Sequence, residues 1–90
     1  MFIMVSYDIK DDVIRRRVQK IMEGFGERVQ YSVFECLLTD SQYKTMKDKL
    51  QGIIDSSDSV RFYMLCDSCR KKIEYSGYNK ILDDDQYFIV

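Results

Sequence analysis

The sequence contains no proline, no histidine and no tryptophan, and only four of its 90 residues are glycine. Without histidine, an enzyme that depends on an imidazole acid or base is disfavoured. A zinc site would also lack its usual nitrogen ligand. Without proline, a low-complexity tract or a repeat, the segments of the chain have to be inferred from hydrophobic periodicity.

Cysteine is scarce as well, with three residues, an odd number that fits reduced thiols better than a disulfide framework. Cys66 and Cys69 form the motif CDSC, but a monomer offers at most three thiols to a metal that usually takes four ligands. A symmetric dimer that pools two such pairs remains the alternative. The motif also lacks the placement of a redox site, between a strand and a helix near the start of a βαβ unit. We therefore expect both residues to be packed thiols.

The charge of the chain is nearly balanced, with a net charge of −1 and a pI of about 5.3. This excludes a protein that coats nucleic acid through bulk charge, so any such contact must be local. The apolar opening MFIMV is far too short to span a bilayer, and no basic region precedes it. We expect a cytoplasmic protein with no membrane contact.

Length and composition predict a single folded domain. Hydrophobic residues make up 46% of the chain and charged residues 32%, which is typical of globular proteins. A chain of this length buries a smaller share of its surface than a larger domain does. A homodimer would cover more of that surface and is a reasonable expectation.

Strand-like and helical periodicities alternate along the chain. Residues 2–9, 28–38 and 59–66 are strand-like, and helical spacing extends over residues 12–23 and again after Thr39. Residues 28–38 are long for one strand, so a reversal near Tyr31 would divide them into two. The order β, α, β, (β), α, β predicts an α+β protein of ferredoxin-like fold, a βαββαβ sandwich.

Both helices of such a fold pack on one face of the sheet. The opposite face would expose Phe2 and Met4, and an apolar patch of this kind is usually covered, here most simply by a second copy. Residues 1–78 would form the domain. Residues 79–90 would form a C-terminal tail, whose YFIV end is suited to adding a strand to a sheet edge.

The predicted helix ends carry clear signals. Thr39 and Gln42 fit a capping box, in which each side chain accepts a hydrogen bond from the backbone of the other residue. Gly24 and Gly26 follow the first helix, and either could supply the left-handed residue that favours a helix end.

Asp8 ends the first strand on the open side of the sheet and is the candidate metal ligand. The alternative is a turn-forming aspartate that bonds nearby amides. One carboxylate is a poor Mg²⁺ site, but two Asp8 side chains across a two-fold axis could share one ion. We interpret Asp11 and Asp12 as helix-capping residues.

Four basic residues could contact phosphate, namely Arg15, Arg16, Lys20 and Arg28. The alternative is an ordinary solvated helix face. Arg17 differs, because the helical period sets it beside Val13 and Ile21 at the margin of the buried stripe. We expect its guanidinium to be held in place.

Four blocks resemble one known family: YDI at 7–9, RRR at 15–17, RVQYSVFE at 28–35 and DSVRFYMLCDSC at 58–69. In this order and at these intervals they are similar to the CRISPR-associated Cas-two family, the smaller of the two core spacer-adaptation proteins. The resemblance covers about residues 2–77. It implies a ferredoxin-like homodimer with facing sheets, in which the C-terminal strand joins the partner's sheet, and residues 28–38 as a hairpin.

The same resemblance implies a metal-dependent endonuclease that cuts single-stranded RNA or double-stranded DNA, with Mg²⁺ or Mn²⁺ as cofactor. The implied site residues are Asp8 as metal ligand, Tyr7 beside it, Arg15 and Arg17 on the first helix, Arg28, and Phe34. In some family members the dimer is instead a DNA-binding scaffold of the larger adaptation integrase. A toxin-like ribonuclease of the same fold is a third alternative.

Overall fold

The structure, a computed structural model, describes residues 1–74. Within this range a single antiparallel sheet has the strand order β2-β3-β1-β4. Its strands are β1 (Phe2–Asp8), β2 (Glu27–Gln30), β3 (Val33–Leu37) and β4 (Ser59–Leu65). The helices are α1 (Asp12–Glu23), α2 (Asp40–Gln51) and the short α3 (Asp67–Arg70). This arrangement confirms the α+β, ferredoxin-like prediction; the predicted domain end at 78 and the tail 79–90 lie outside the described residues.

Helix α1 has the predicted bounds. The backbone N–H of Ile14 donates to the Asp11 carboxylate at 2.9 Å, so Asp11 is the N-cap as expected. The prediction of a left-handed glycine after the helix is wrong. Gly24 ends the helix with a φ of −80°, and Gly26 also lies outside the left-handed region. Gly26 is needed for another reason: a Cβ there would collide with the Cys36 sulfur and the Glu35 carbonyl oxygen.

Helix α2 begins with the predicted capping box. The Gln42 N–H donates to the Thr39 hydroxyl at 3.2 Å, and the Thr39 N–H donates to the Gln42 side-chain oxygen at 2.9 Å. Such a cap typically contributes about 0.5 to 2 kcal/mol. Two donors that a helix start leaves unpaired are thereby satisfied.

The hairpin of β2 and β3 confirms that residues 28–38 are two strands. They reverse at Tyr31 and Ser32, and a bulge between Arg28 and Gln30 shifts their pairing. The Tyr7 N–H donates to the Ser32 carbonyl at 3.1 Å. This bond holds the hairpin turn beside the end of β1.

The core lies between the sheet and the helices α1 and α2. On the face of β1 toward the helices the buried side chains are Ile3, Val5 and Tyr7, which alternate along the strand as the pleat requires. The helices and β3 add further buried side chains: Val18, Met22, Met46, Leu50, Phe34 and Cys36. Each large apolar side chain buried in this way contributes about 1.5 to 3 kcal/mol.

The other face of the sheet is less open than the sequence suggests. Phe2 was expected to be exposed there, but only 2% of its surface is accessible. The Arg70 guanidinium carbon lies 5.7 Å from the centroid of the Phe2 ring. Helix α3, which periodicity cannot reveal because it is only four residues long, brings Arg70 to this position. Met4 on the same face remains half-buried.

The expectation of packed thiols in the CDSC motif is also wrong. Cys66 and Cys69 are both exposed, and neither is in a disulfide. Cys66 directly follows β4 and is the N-cap of α3, and Cys69 lies within that helix, so the motif does follow a strand and begin a short helix. No helix within residues 1–74 is long and apolar enough to cross a bilayer.

Candidate metal and nucleic-acid site

Asp8 occupies the predicted place at the end of the central strand. It is exposed, and it alternates with the buried Tyr7, so its carboxylate lies on the face opposite the helices. The side chain has no hydrogen bond or ion pair with any residue of the described range 1–74. The alternative of a turn-forming aspartate is therefore not what the structure shows, and the carboxylate is available to a ligand.

Two residues of β4 that the sequence analysis missed lie next to Asp8. The strand register sets Ser59 opposite Asp8 and Arg61 opposite Ser6. Arg61 is exposed on the same face as Asp8, at the diagonal position, and donates to the Tyr63 hydroxyl at 3.5 Å. Alternation along β4 could have indicated this face, but only the register sets Arg61 beside Asp8.

Tyr7 faces away from Asp8. Its ring is 4% exposed and lies 6.3 Å, centroid to centroid, from the ring of Phe34. The hydroxyl is buried without a hydrogen-bond partner among the described residues. Burial raises the pKa of Tyr7, and the nearby charge of Arg28 acts in the opposite direction. Tyr7 and Asp8 thus belong to different faces of one strand.

Phe34 is part of the core, with none of its surface exposed. In the sheet it pairs with Val5 on one side and with Arg28 on the other. The structure therefore gives Phe34 a packing role beneath the site. Its predicted role as a functional aromatic stays a prediction.

Two arginines meet at an exposed aromatic ring on the hairpin turn. The ring of Tyr31 is 67% exposed, and the guanidinium carbons of Arg28 and Arg15 lie 5.2 Å and 5.8 Å from its centroid. Arg28 also donates to the Gln30 carbonyl at 3.3 Å. We call these three residues the Tyr31 cluster. In the sequence Tyr31 stands out only as a turn residue, although a tyrosine in a turn next to a basic strand is a usable signal.

The arginines of α1 differ from the expectation. The alternative of a solvated helix face does not hold for Arg15, which forms an ion pair with Asp12 and donates to the Ile9 carbonyl at 3.3 Å. Arg17 was expected to be held, but it is exposed and makes no such contact within residues 1–74. Helical side chains lean toward the helix start, which lets Arg15 reach residues that precede it. Arg16 is exposed, which fits the alternative of a solvated helix face.

Comparison with known proteins decides the family. The family described as CRISPR associated protein Cas2 matches residues 1–73. This chain belongs to the Cas2 family. A relative from Chloroflexus aurantiacus, named CRISPR-associated endoribonuclease Cas2 1, is 44% identical over 79 residues, which are 86% of this chain and 85% of the relative.

Solved Cas2 structures share the fold. Streptococcus pyogenes Cas2, crystallised at pH 6.5, superposes with a TM-score of 0.74 at 36% identity, over 86% of this chain and 100% of that one. A chain of a partial Cas6-RT-Cas1–Cas2 complex superposes with a TM-score of 0.70 at 26% identity, over 80% of this chain and 86% of that one. The βαββαβ arrangement is therefore that of the Cas2 family.

The described part of this Cas2 chain holds no group of three or more histidine, cysteine or carboxylate side chains that could bind a metal ion. Asp8 offers a single free carboxylate. Mg²⁺ commonly takes one or two carboxylates and completes its shell with water and substrate phosphate. Asp8 fits such an ion as one ligand of an open shell and does not fit zinc, which prefers a closed set of nitrogen and sulfur ligands.

Proposed function

We propose that this Cas2-family protein is a metal-dependent endonuclease, in which Asp8 binds the ion. The observation that carries the proposal is the exposed Asp8 carboxylate at the end of the central strand, which has no partner among residues 1–74 and shares its face with Arg61. The name of the Chloroflexus relative, an endoribonuclease, supports hydrolysis of phosphodiester bonds. Single-stranded RNA is the first substrate to test and double-stranded DNA the second.

A homodimer would complete the metal site. The face that carries Asp8 also carries half-buried apolar side chains, Met4 among them, and a second copy would cover them. An isologous contact between these faces would bring two Asp8 carboxylates together. The bound Mg²⁺, or Mn²⁺ in its place, would polarise a phosphoryl oxygen and lower the pKa of a bound water.

The chain's own residues would bind and orient the nucleic acid. Arg61 could neutralise a phosphate beside Asp8, and the Tyr31 cluster offers two guanidiniums and a ring at the neighbouring hairpin. Guanidinium groups bind phosphate oxygens in pairs, and aromatic rings stack on unpaired bases. Arg16 and Arg17, both exposed on α1, could add contacts to the backbone. Binding would therefore be local, as the slightly acidic chain requires.

The decisive experiment compares wild type with Asp8→Asn. Cleavage of single-stranded RNA and of duplex DNA is measured with Mg²⁺ and with a chelator. Asp8→Asn should abolish cleavage, and Asp48→Asn, which removes an exposed carboxylate of α2, should not. Circular dichroism and the oligomeric state should be the same in all three proteins. Cleavage by Asp8→Asn at the wild-type rate would refute the assignment.

A second candidate is a structural role, favoured by the Cas2-like chain found in a complex with Cas1. In this role the same basic residues would hold a DNA duplex while the larger integrase acts on it. Removing residues 83–90 should then prevent assembly with that integrase. Asp8→Asn should leave spacer acquisition intact. If spacer acquisition requires cleavage by this protein, the same variant should lose it.

A further inference from the structure

The two exposed cysteines form a pair at the end of the sheet remote from Asp8. Cys66 directly follows β4, whose last residue Leu65 pairs with Phe2 at the start of β1. Asp8 ends the same strand β1 and pairs with Ser59, the first residue of β4. The pair is thus separated from the proposed metal site by the length of a strand, and it has no part in the proposed cleavage.

The motif sets the two thiols one helical turn apart. Cys66 is the N-cap of α3 and Cys69 is its third helical residue, and side chains at these two positions are neighbours. The Cys66 sulfur also lies 3.2 Å from the Ser68 hydroxyl oxygen. Both thiols are open to solvent, so a small reagent can approach either sulfur.

The thiols of the pair differ in acidity. Hydrogen bonds from Ser68 and from Cys69 lower the pKa of Cys66 to about 7. The hydrogen bond and the charge of Cys66 raise the pKa of Cys69. Near neutral pH a large share of Cys66 is therefore thiolate, the nucleophilic form, while Cys69 keeps its proton as a donor to it.

Cys36 provides an internal contrast. Its side chain is fully buried, and burial raises the pKa of its thiol to about 11. It is both inaccessible and protonated at neutral pH, so it should be inert in the folded protein. Within residues 1–74 the reactive thiol chemistry is confined to the pair.

We propose that Cys66 and Cys69 are a reversible dithiol–disulfide site, oxidised by low-molecular-weight disulfides. The Cys66 thiolate attacks one sulfur of the oxidant, which forms a mixed disulfide and releases one thiolate of the oxidant. Cys69 then gives its proton to solvent, and its sulfur attacks the Cys66 sulfur. The Cys66–Cys69 bond forms as the second oxidant thiolate leaves. Two electrons pass from the cysteines to the oxidant, whose two halves are reprotonated as thiols.

Oxidation of the two thiols to a disulfide would restrict the conformation of the turn that connects the sheet to the C-terminal residues. The bond would close one turn at the start of α3, the helix whose Arg70 lies over Phe2. Residues 71–74 follow this helix, and residues 75–90 come after them in the chain. In a reducing compartment such a bond is transient, which suits a redox-responsive site better than a permanent cross-link.

The test uses the folded full-length chain with glutathione disulfide as the oxidant. After the reaction, free thiols are alkylated and the protein is analysed by intact mass and peptide mapping. We expect wild type to lose two hydrogen atoms at the Cys66–Cys69 peptide, with no glutathione on Cys36 and with full reversal by dithiothreitol. Formation should be faster in the folded chain than in the same chain in denaturant.

Single substitutions distinguish the two steps, the attack of Cys66 on the oxidant and the attack of Cys69 on the mixed disulfide. Cys69→Ser should stop at a stable glutathione adduct on Cys66, because the resolving thiol is absent. Cys66→Ser should react more slowly, because it lacks the thiol whose pKa is lowered. Ser68→Ala should slow the first step and still yield the disulfide. Stable adducts on both cysteines of wild type, or two thiols as unreactive as Cys36, would overturn the proposal.

Discussion

Tyr7 and Asp8 are consecutive in β1, yet their side chains lie on opposite faces of the sheet. Tyr7 is 4% exposed and packs beside Phe34, whereas Asp8 is exposed and unpartnered within residues 1–74. The side chains of these two predicted site residues, although adjacent in sequence, therefore cannot act at the same place on one face of the sheet. The proposed metal ligand and a residue of the core are thus neighbours in the chain.

The buried hydroxyl of Tyr7 should destabilise the folded protein. It is buried without a partner in the described range, and leaving a polar group in this state typically costs about 1 to 3 kcal/mol. Tyr7→Phe should raise the free energy of unfolding by about 1 kcal/mol in urea titrations. Tyr43→Phe, at a half-buried ring edge-on to Phe62, is the control and should change little. A less stable Tyr7→Phe protein would mean that the hydroxyl has a partner in solution.

The Tyr31 cluster should contribute to nucleic-acid binding. Tyr31→Leu removes the exposed ring and should weaken binding of single-stranded RNA more than binding of duplex, because only unpaired bases can stack. Tyr31→Phe keeps the aromatic ring and should bind RNA as tightly as wild type. Arg28→Ala should weaken binding of both and reduce its dependence on salt concentration, because a phosphate contact is lost. Fluorescence anisotropy at several salt concentrations measures all three effects.

Lys44→Ala is the matched control for the loss of positive charge in Arg28→Ala. Lys44→Ala removes one positive charge from an exposed position on α2, away from the hairpin. If it lowers affinity as much as Arg28→Ala does, only net charge matters and the Tyr31 cluster has no specific role.

The buried thiol of Cys36 should make stability fall at alkaline pH. Its pKa is raised to about 11 by burial, so the folded chain holds this proton more tightly than the unfolded chain. The stabilisation is complete below the ordinary thiol pKa of 9.0 and is lost as the pH rises toward the folded value. The loss is about 2 to 3 kcal/mol.

This loss can be isolated by comparing two proteins in urea. Both carry Cys66→Ser and Cys69→Ser, and one also carries Cys36→Ala. At neutral pH the Cys36→Ala protein should be the less stable, because packing is lost. As the pH rises, the difference between the two should shrink. Parallel curves of stability against pH would contradict the buried, protonated thiol.

Gly26 should tolerate no side chain. A Cβ at this position would collide with the Cys36 sulfur and with the Glu35 carbonyl oxygen, which belongs to the backbone and cannot turn aside. Gly26→Ala should destabilise the protein by about 1 to 3 kcal/mol. Gly52→Ala is the control, because its Cβ would lie 3.5 Å from the nearest carbonyl oxygen and its φ is −71°. That variant should be neutral or stabilising by about 0.4 to 1 kcal/mol, and equal losses in the two variants would refute the steric argument.

Much of the fold could be predicted from the sequence because it depends on local interactions. The bounds of α1, the Asp11 cap and the capping box of α2 follow from periodicity and from hydrogen bonds between residues three apart. The division of residues 28–38 into two strands follows from their length and from the family resemblance. Asp8 on the face opposite the helices follows from the alternation of β1.

The sequence by itself determined the family, the order of the elements and the face of Asp8. Only the tertiary structure decided that Arg15 is held and Arg17 is free to contact solvent, that Arg61 lies beside Asp8, and that the arginines meet at Tyr31. It also decided that Phe2 is covered and that the CDSC thiols are exposed. The physical reason is that strand register and packing join residues far apart in the chain, whereas periodicity reports only the face of one element.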